Sequence, residues 1–217
     1  EVILFDPAYD CYETPVTLRK AKPIRVNLDF PSYQIDWQKV ESMITKNTKM
    51  IILNNPHNPS GSTFSKEDIE QLKELLQKHP RIVILSDEVY EYISFDKHES
   101  LNLHEELYNR SVIISSFGKT LHLTGWKIGY LIAPKHLMDE IVSVHQYNVF
   151  SVNSFSQSVI AKFIDLKEIE NLGTFFEKKK KIFLDQIKES RFKILNSGGT
   201  YFQLLDYSEI SDEPDND

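Results

Sequence analysis

Short runs of apolar, mostly β-branched residues recur along this chain, and each gives way to a turn cluster or an amphipathic stretch. That alternation restricts the fold more than any other feature. Residues 2–5, 50–53, 82–85, 112–114 and 128–133 read as buried strands, because a strand covered on both faces is apolar throughout rather than at every second position. Between them, residues 36–46 place Val40, Met43 and Ile44 on one helical face. Ser65, with Asp68 three positions on, opens a further helix whose Ile69, Leu72, Leu75 and Leu76 share a face. From Ser154 the pattern turns helical. Leu172, Phe175, Phe176, Phe183 and Ile187 outline an apolar stripe on a long helix, and residues 200–205 read as a late strand. Strands alternating with helices predict an α/β fold, three-layer α-β-α with a mainly parallel sheet. The start of a smaller α+β C-terminal domain follows, with residues 1–164 as the large unit and residues 165–217 as a linking helix and partial second domain.

At 217 residues the chain is long enough for one to two domains. Its 41% hydrophobic and 26% charged residues are those of a globular protein. No apolar run reaches the ~20 residues of a membrane-spanning helix. The single Cys11 excludes an internal disulfide framework and a cysteine-built zinc site, and predicts a reducing, cytoplasmic setting. Net charge is −7, but residues 206–217 hold six acids and no base, so the rest is close to balanced. Neither part carries the basic footprint of a nucleic-acid binder. The run Lys178-Lys179-Lys180-Lys181 falls on the long helix, where rotation spreads the ammoniums around a solvated face. The chain opens inside an apolar run and stops just after a strand-like stretch, which predicts an internal segment of a longer protein.

Polar residues gather where the strands end. Asn58, Pro59 and Gly61 follow residues 50–53, Asp87 and Tyr90 follow residues 82–85, and Ser116 and Lys119 follow residues 112–114. In open α/β sheets, ligands lie outside the carboxyl ends of the strands. An amide, a carboxylate, a phenol, a hydroxyl and an amine are therefore expected around one crevice. Gly118-Lys119-Thr120 imitates the end of a phosphate loop, but that motif needs glycine five residues earlier and position 113 is Ile. A nucleotide site is rejected on that ground. His57 has no nucleophile or carboxylate at a recognisable spacing and reads as turn packing. Trp126 also reads as packing, and the acidic tail as solvated.

The stretch from Ser116-Phe117-Gly118-Lys119-Thr120 through Leu123-Thr124-Gly125-Trp126-Lys127-Ile128-Gly129-Tyr130 resembles the lysine signature of the fold-type-I pyridoxal-phosphate enzymes, specifically the class I/II aminotransferases. Asn54-Asn55-Pro56-His57-Asn58-Pro59-Ser60-Gly61 resembles their Asn-Pro-x-Gly turn, and Asp87-Glu88-Val89-Tyr90 their Asp-x-x-Tyr step. Pro7-Ala8-Tyr9-Asp10-Cys11-Tyr12, with Lys rather than Arg at Lys127, is most similar to the kynurenine and methionine aminotransferase branch. The likeness runs over essentially the whole chain.

The resemblance implies the large domain of that fold, pyridoxal 5'-phosphate as cofactor, amino-acid and 2-oxo-acid substrates, and a homodimer. It implies that Lys119 is the Schiff-base lysine and proton shuttle, a role needing an amine with a lowered pKa. Asp87 would pair with the pyridine nitrogen so that the ring withdraws electrons. Tyr90 and Asn58 would bond the phenolic oxygen from opposite sides, with Asn58-Pro59 a candidate cis peptide. Ser116 and Lys127 would contact the phosphate, and Tyr9 would stack on the ring. No metal is implied. The family's phosphate-cradling loop would lie before Glu1 and its substrate-binding arginine after Asp217. The segment alone is therefore expected to bind cofactor weakly and to transaminate little. Two alternatives remain open: a carbon–sulfur β-lyase using the same lysine and aspartate, and a non-enzymatic cofactor-sensing domain.

Overall fold

The computed structural model describes residues 1–164 and 166–213. Six strands form the main sheet: β1 (Val2–Asp6), β2 (Pro23–Asn27), β3 (Met50–Asn54), β4 (Val83–Asp87), β5 (Ser111–Ser116) and β6 (Gly129–Ile132). Their order is β2-β1-β3-β4-β5-β6, parallel throughout except for the antiparallel β5–β6 pair. A separate two-stranded sheet joins β7 (Lys193–Ile194) to β8 (Leu205–Asp206). The helices are α1 (Glu13–Leu18), α2 (Trp37–Met43), α3 (Lys66–Lys78), α4 (Glu105–Tyr108), α5 (Phe117–Thr120), α6 (Lys135–Asn148), α7 (Ser154–Phe163), α8 (Leu166–Glu170) and α9 (Leu172–Ile187). The mainly parallel α/β sheet expected from the alternating pattern is thus the fold.

The strands sort their side chains by parity. Ile3, Phe5, Ile51 and Leu53 pack with Trp37 and Val40 of α2 and Ile69, Leu72, Leu75 and Leu76 of α3 in one large core. Val2, Leu4 and Ile52 face the other way, against Val16 of α1. This is the two-sided burial that makes the runs 2–5 of β1 and 50–53 of β3 apolar at every position. Helix α3 starts as its capping sequence dictates. Ser65 Oγ accepts from the Asp68 amide, and the Asp68 carboxylate accepts from the Ser65 amide and from Trp37 Nε1 at 2.9 Å, tying α3 to α2.

Several elements depart from the sequence reading. The late strand expected over residues 200–205 is reduced to Leu205–Asp206. Upstream of it, the backbone bonds to other segments instead: the Thr200 amide donates to the Ile93 carbonyl at 2.7 Å. The edge strand β2 carries Pro23 and the charged Arg25, and so lacked an apolar signature. Helix α6 buries none of its residues, leaving no core stripe to read. The stripe on α9 is only partly covered, with Phe175 and Phe183 exposed. Lys180 also departs from the solvated face. Its Nζ donates to the Ser197 carbonyl at 2.6 Å and lies 5.0 Å from the Phe95 ring, and burial pushes its pKa down. The domain change expected near Asp165 and the tail residues 214–217 lie outside the described residues.

Candidate active site

The parallel strands deliver their carboxyl ends to one edge of the sheet, next to the switch point where β1 lies between β2 and β3. A cavity of about 470 Å³ opens there, lined by residues from four strand exits: Tyr9 and Tyr12 after β1, Asn54 and Asn58 at β3, Asp87 and Tyr90 at β4, and Ser116 and Lys119 at β5. That volume lies within the roughly 300–1,000 Å³ of small-molecule sites. Of the expected site residues, Tyr9, Asn58, Asp87, Tyr90, Ser116 and Lys119 share this wall. Lys127 is not part of it. It sits exposed in the left-handed region (φ 54°) after the turn 124–126.

Asp87 is the last residue of β4 and is buried. Its carboxylate accepts one bond at each oxygen: Tyr12 OH donates at 2.6 Å and the Val89 amide at 3.1 Å. Burial pushes its pKa up, while those two bonds and the nearby Lys119 charge pull the other way. Tyr12 in turn is driven above the ordinary phenol range by burial and by that carboxylate, so it remains a neutral donor.

Asn54 connects neighbouring exits. Its amide donates to the Asp87 carbonyl at 2.9 Å, while its Oδ1 accepts from the Asn58 backbone amide at 2.7 Å. The Asn58–Pro59 peptide is cis, as expected. The Asn58 side-chain amide has no hydrogen-bond partner among the described residues, which leaves it for an occupant of the cavity. His57 packs in the turn as the sequence suggested. It is buried between Ser60 Oγ (2.7 Å) and the Pro7 carbonyl (3.1 Å), and burial lowers its pKa to about 4. The neutral ring thereby joins the β3 exit to the β1 exit.

Ser116 ends β5 and caps the short α5, its Oγ accepting from the Gly118 amide at 3.0 Å. One turn on, Lys119 donates from Nζ to Tyr201 OH at 3.0 Å and lies 5.8 Å from the centre of the Tyr90 ring. Tyr90 is buried, edge-on to Tyr201 (5.5 Å) and Phe202 (5.8 Å). Burial, with the neighbouring Tyr201 phenol adding to it, raises its pKa. Tyr9 stands edge-on to Tyr12 at 5.7 Å on the cavity rim, with 46% of its surface exposed. Trp126, expected to pack, is 39% exposed.

The sequence reading missed Tyr12, Asn54 and Tyr201. Tyr12 follows Tyr9 across one turn before α1, and Asn54 terminates an apolar strand, so both had a positional signal. Tyr201 had none.

An open, mainly parallel sheet with an amine, a buried acid and a phenol at successive strand exits defines a fold-type-I pyridoxal-phosphate architecture. Residues 1–213 match the family model for aminotransferase class I and II, and the chain belongs to that family. It is 41% identical over 215 residues to the methionine aminotransferase of Escherichia coli strain K12, covering 97% of this chain and 55% of that protein. It is 32% identical to the kynurenine–oxoglutarate transaminase of Dictyostelium discoideum, covering 97% of this chain and 53% of the relative. The crystal structure of an Escherichia coli protein identified as having a methionine aminotransferase function superposes with a TM-score of 0.95 at 40% identity, over 98% of this chain and 56% of that one. A putative kynurenine aminotransferase from Saccharomyces cerevisiae superposes with a TM-score of 0.86 at 29% identity, over 99% of this chain and 55% of the other. The chain spans about half the length of the curated relatives it matches.

The wall fits a pyridoxal phosphate ring chemically. It offers a buried carboxylate for a protonated ring nitrogen, an unpartnered amide and a phenol for the ring's oxygen, and an amine for its carbonyl carbon.

Proposed function

We propose that the protein containing this chain is a pyridoxal-phosphate-dependent aminotransferase, which moves an amino group between an amino acid and a 2-oxo acid. The observation that carries this is the convergence of Lys119, Asp87 and Tyr90 on one cavity wall, from the exits of the neighbouring strands β4 and β5. Family membership supports the reading, and the methionine and kynurenine relatives favour sulfur-containing or aromatic amino acids as donors. Exposed Tyr147, Phe155 and Phe163 on α6 and α7, with Phe150 between the two helices, support a homodimer of the whole protein.

Bound there, pyridoxal phosphate supplies an electron sink for the pair left when the substrate's α-proton departs. Asp87 would face the pyridine nitrogen; burial pushes its pKa up, and the Tyr12 and Val89 bonds favour the ionised form against that push. Tyr90 and Asn58 orient the ring from its oxygen side. Ser116 and, from outside the cavity wall, Lys127 are assigned to the phosphate, Lys127 as a point charge without the fork of an arginine. Lys119 would be the covalent attachment point for the cofactor and, as a free amine, the base for the substrate's α-proton. The tether of its own side chain would hold the amine at the site, so the proton transfer would be effectively unimolecular.

The test is reconstitution of the full-length protein with pyridoxal phosphate, hydride trapping and peptide mapping. The expected label is on Lys119. Lys119→Ala should abolish it, and Asp87→Ala should keep it while losing turnover. A label on another lysine overturns the assignment. Turnover that needs no 2-oxo acid, with release of a 2-oxo product from a cysteine conjugate, would make the protein a β-lyase instead.

A further inference from the structure

We propose that Tyr201 is a positioning residue for the Lys119 amine: its phenol oxygen holds the ε-nitrogen beside Tyr90 whenever that nitrogen is not covalently engaged, and so sets the rate of proton transfer rather than substrate affinity. This inference rests on the aminotransferase reading above.

Lys119 Nζ donates to Tyr201 OH at 3.0 Å and sits 5.7 Å from the centre of the Tyr201 ring and 5.8 Å from that of Tyr90. Both distances fall inside the ~6 Å reach of a cation–π contact. The Tyr201 and Tyr90 rings meet edge-on at 5.5 Å, so the amine lies against two phenols that pack on each other. A phenol is suited to this task because it serves the amine in either protonation state. Its oxygen accepts from an ammonium, and its O–H donates to the lone pair of a neutral amine. A lysine side chain is otherwise a flexible four-carbon stem whose head has no preferred direction.

The Tyr201 ring is itself held. Phe202 packs at 4.8 Å, Phe176 of α9 at 5.8 Å and Tyr90 edge-on at 5.5 Å. Its backbone is latched onto the same two exits that deliver Asn58 and Tyr90. The Gly198 and Gly199 amides both donate to the Gly61 carbonyl (2.8 and 3.1 Å), Thr200 donates to Ile93 (2.7 Å), and Phe95 donates to Gly198 (2.8 Å). Lys180 closes the latch from α9 through the Ser197 carbonyl. This approach requires glycine at position 199, where a Cβ would lie 2.9 Å from the Ile93 carbonyl oxygen and 2.9 Å from the Pro56 ring. The last part of the chain is thus built to place one hydroxyl on the lysine.

The experiment uses the full-length protein loaded with pyridoxal phosphate, as wild type and Tyr201→Phe, a substitution that keeps the ring packing. The expected result is a kcat lower by about ten- to hundredfold, the weight of one hydrogen bond to a charged group, with KM little changed. The primary kinetic isotope effect with an α-deuterated amino acid should rise. The pH midpoint of the loaded protein's visible absorbance should also move, a readout independent of turnover. Trapping on Lys119 in both proteins with kcat, isotope effect and absorbance midpoint unchanged overturns the inference and leaves the function standing. A loss of turnover through raised KM or lowered cofactor occupancy, with an unchanged isotope effect, overturns it as well. Failure to trap Lys119 in wild type removes the aminotransferase reading itself.

Discussion

Tyr12→Phe isolates one of the two hydrogen bonds that pull the pKa of Asp87 down against burial. The substitution preserves the ring that stands edge-on to Tyr9 and removes only the hydroxyl that donates to Asp87 at 2.6 Å. The carboxylate is then left with the Val89 amide as its remaining hydrogen-bond donor in the described structure. A hydrogen bond to a charged group contributes about 1.5–3 kcal/mol, or roughly ten- to hundredfold in the balance between ionised and protonated carboxyl. Burial already raises the pKa of Asp87, and the Tyr12 bond opposes that rise, so its loss moves the pKa further up. The sign follows. At alkaline pH Asp87 is ionised in both proteins and pyridoxal phosphate should bind them equally. As pH falls the variant protonates first, the ring nitrogen loses its anionic partner, and affinity drops roughly tenfold or more below that of wild type. Cofactor titration by absorbance across the pH range, on full-length protein, measures this directly. Two curves displaced by a constant factor at every pH would mean that Tyr12 acts only through packing, and coincident curves would mean it does nothing to Asp87.

His57 should titrate near pH 4 in the folded protein, measured by NMR of its ring protons, against 6.5 when free. That gap corresponds to about 3 kcal/mol of stability, fully present above pH 6.5 and lost as pH falls toward 4, because the unfolded chain binds the extra proton first. A midpoint near 6.5 would refute burial as the cause. Leu72→Ala, at a fully buried position between α3 and the sheet, should cost about 2–5 kcal/mol in urea unfolding. A loss under 1 kcal/mol would mean that the α3 face is not the core of this fold.

Much of the architecture was legible because burial on both faces leaves a local trace. The runs 2–5, 50–53, 82–85 and 112–114 are apolar at every position, and the Ser65–Asp68 box marks where α3 starts. The residues that end those strands were legible as well, since in a parallel sheet carboxyl ends all point to one edge. Asp87, Tyr90, Ser116 and Lys119 could thus be grouped before any coordinates. Elements with little or no buried face, β2 and α6, left no such trace.

What the amino-acid order determined by itself was periodicity, caps and the residue types at strand exits, all properties of neighbours within a few positions. The tertiary structure decided which distant groups meet. Tyr12 reaches across 75 residues to Asp87, and Lys119 across 82 to Tyr201. The physical reason is that a hydrogen bond between separated segments depends on strand order and on backbone latches such as Gly61 with Gly198 and Gly199. Neither is written in the spacing of the residues they join.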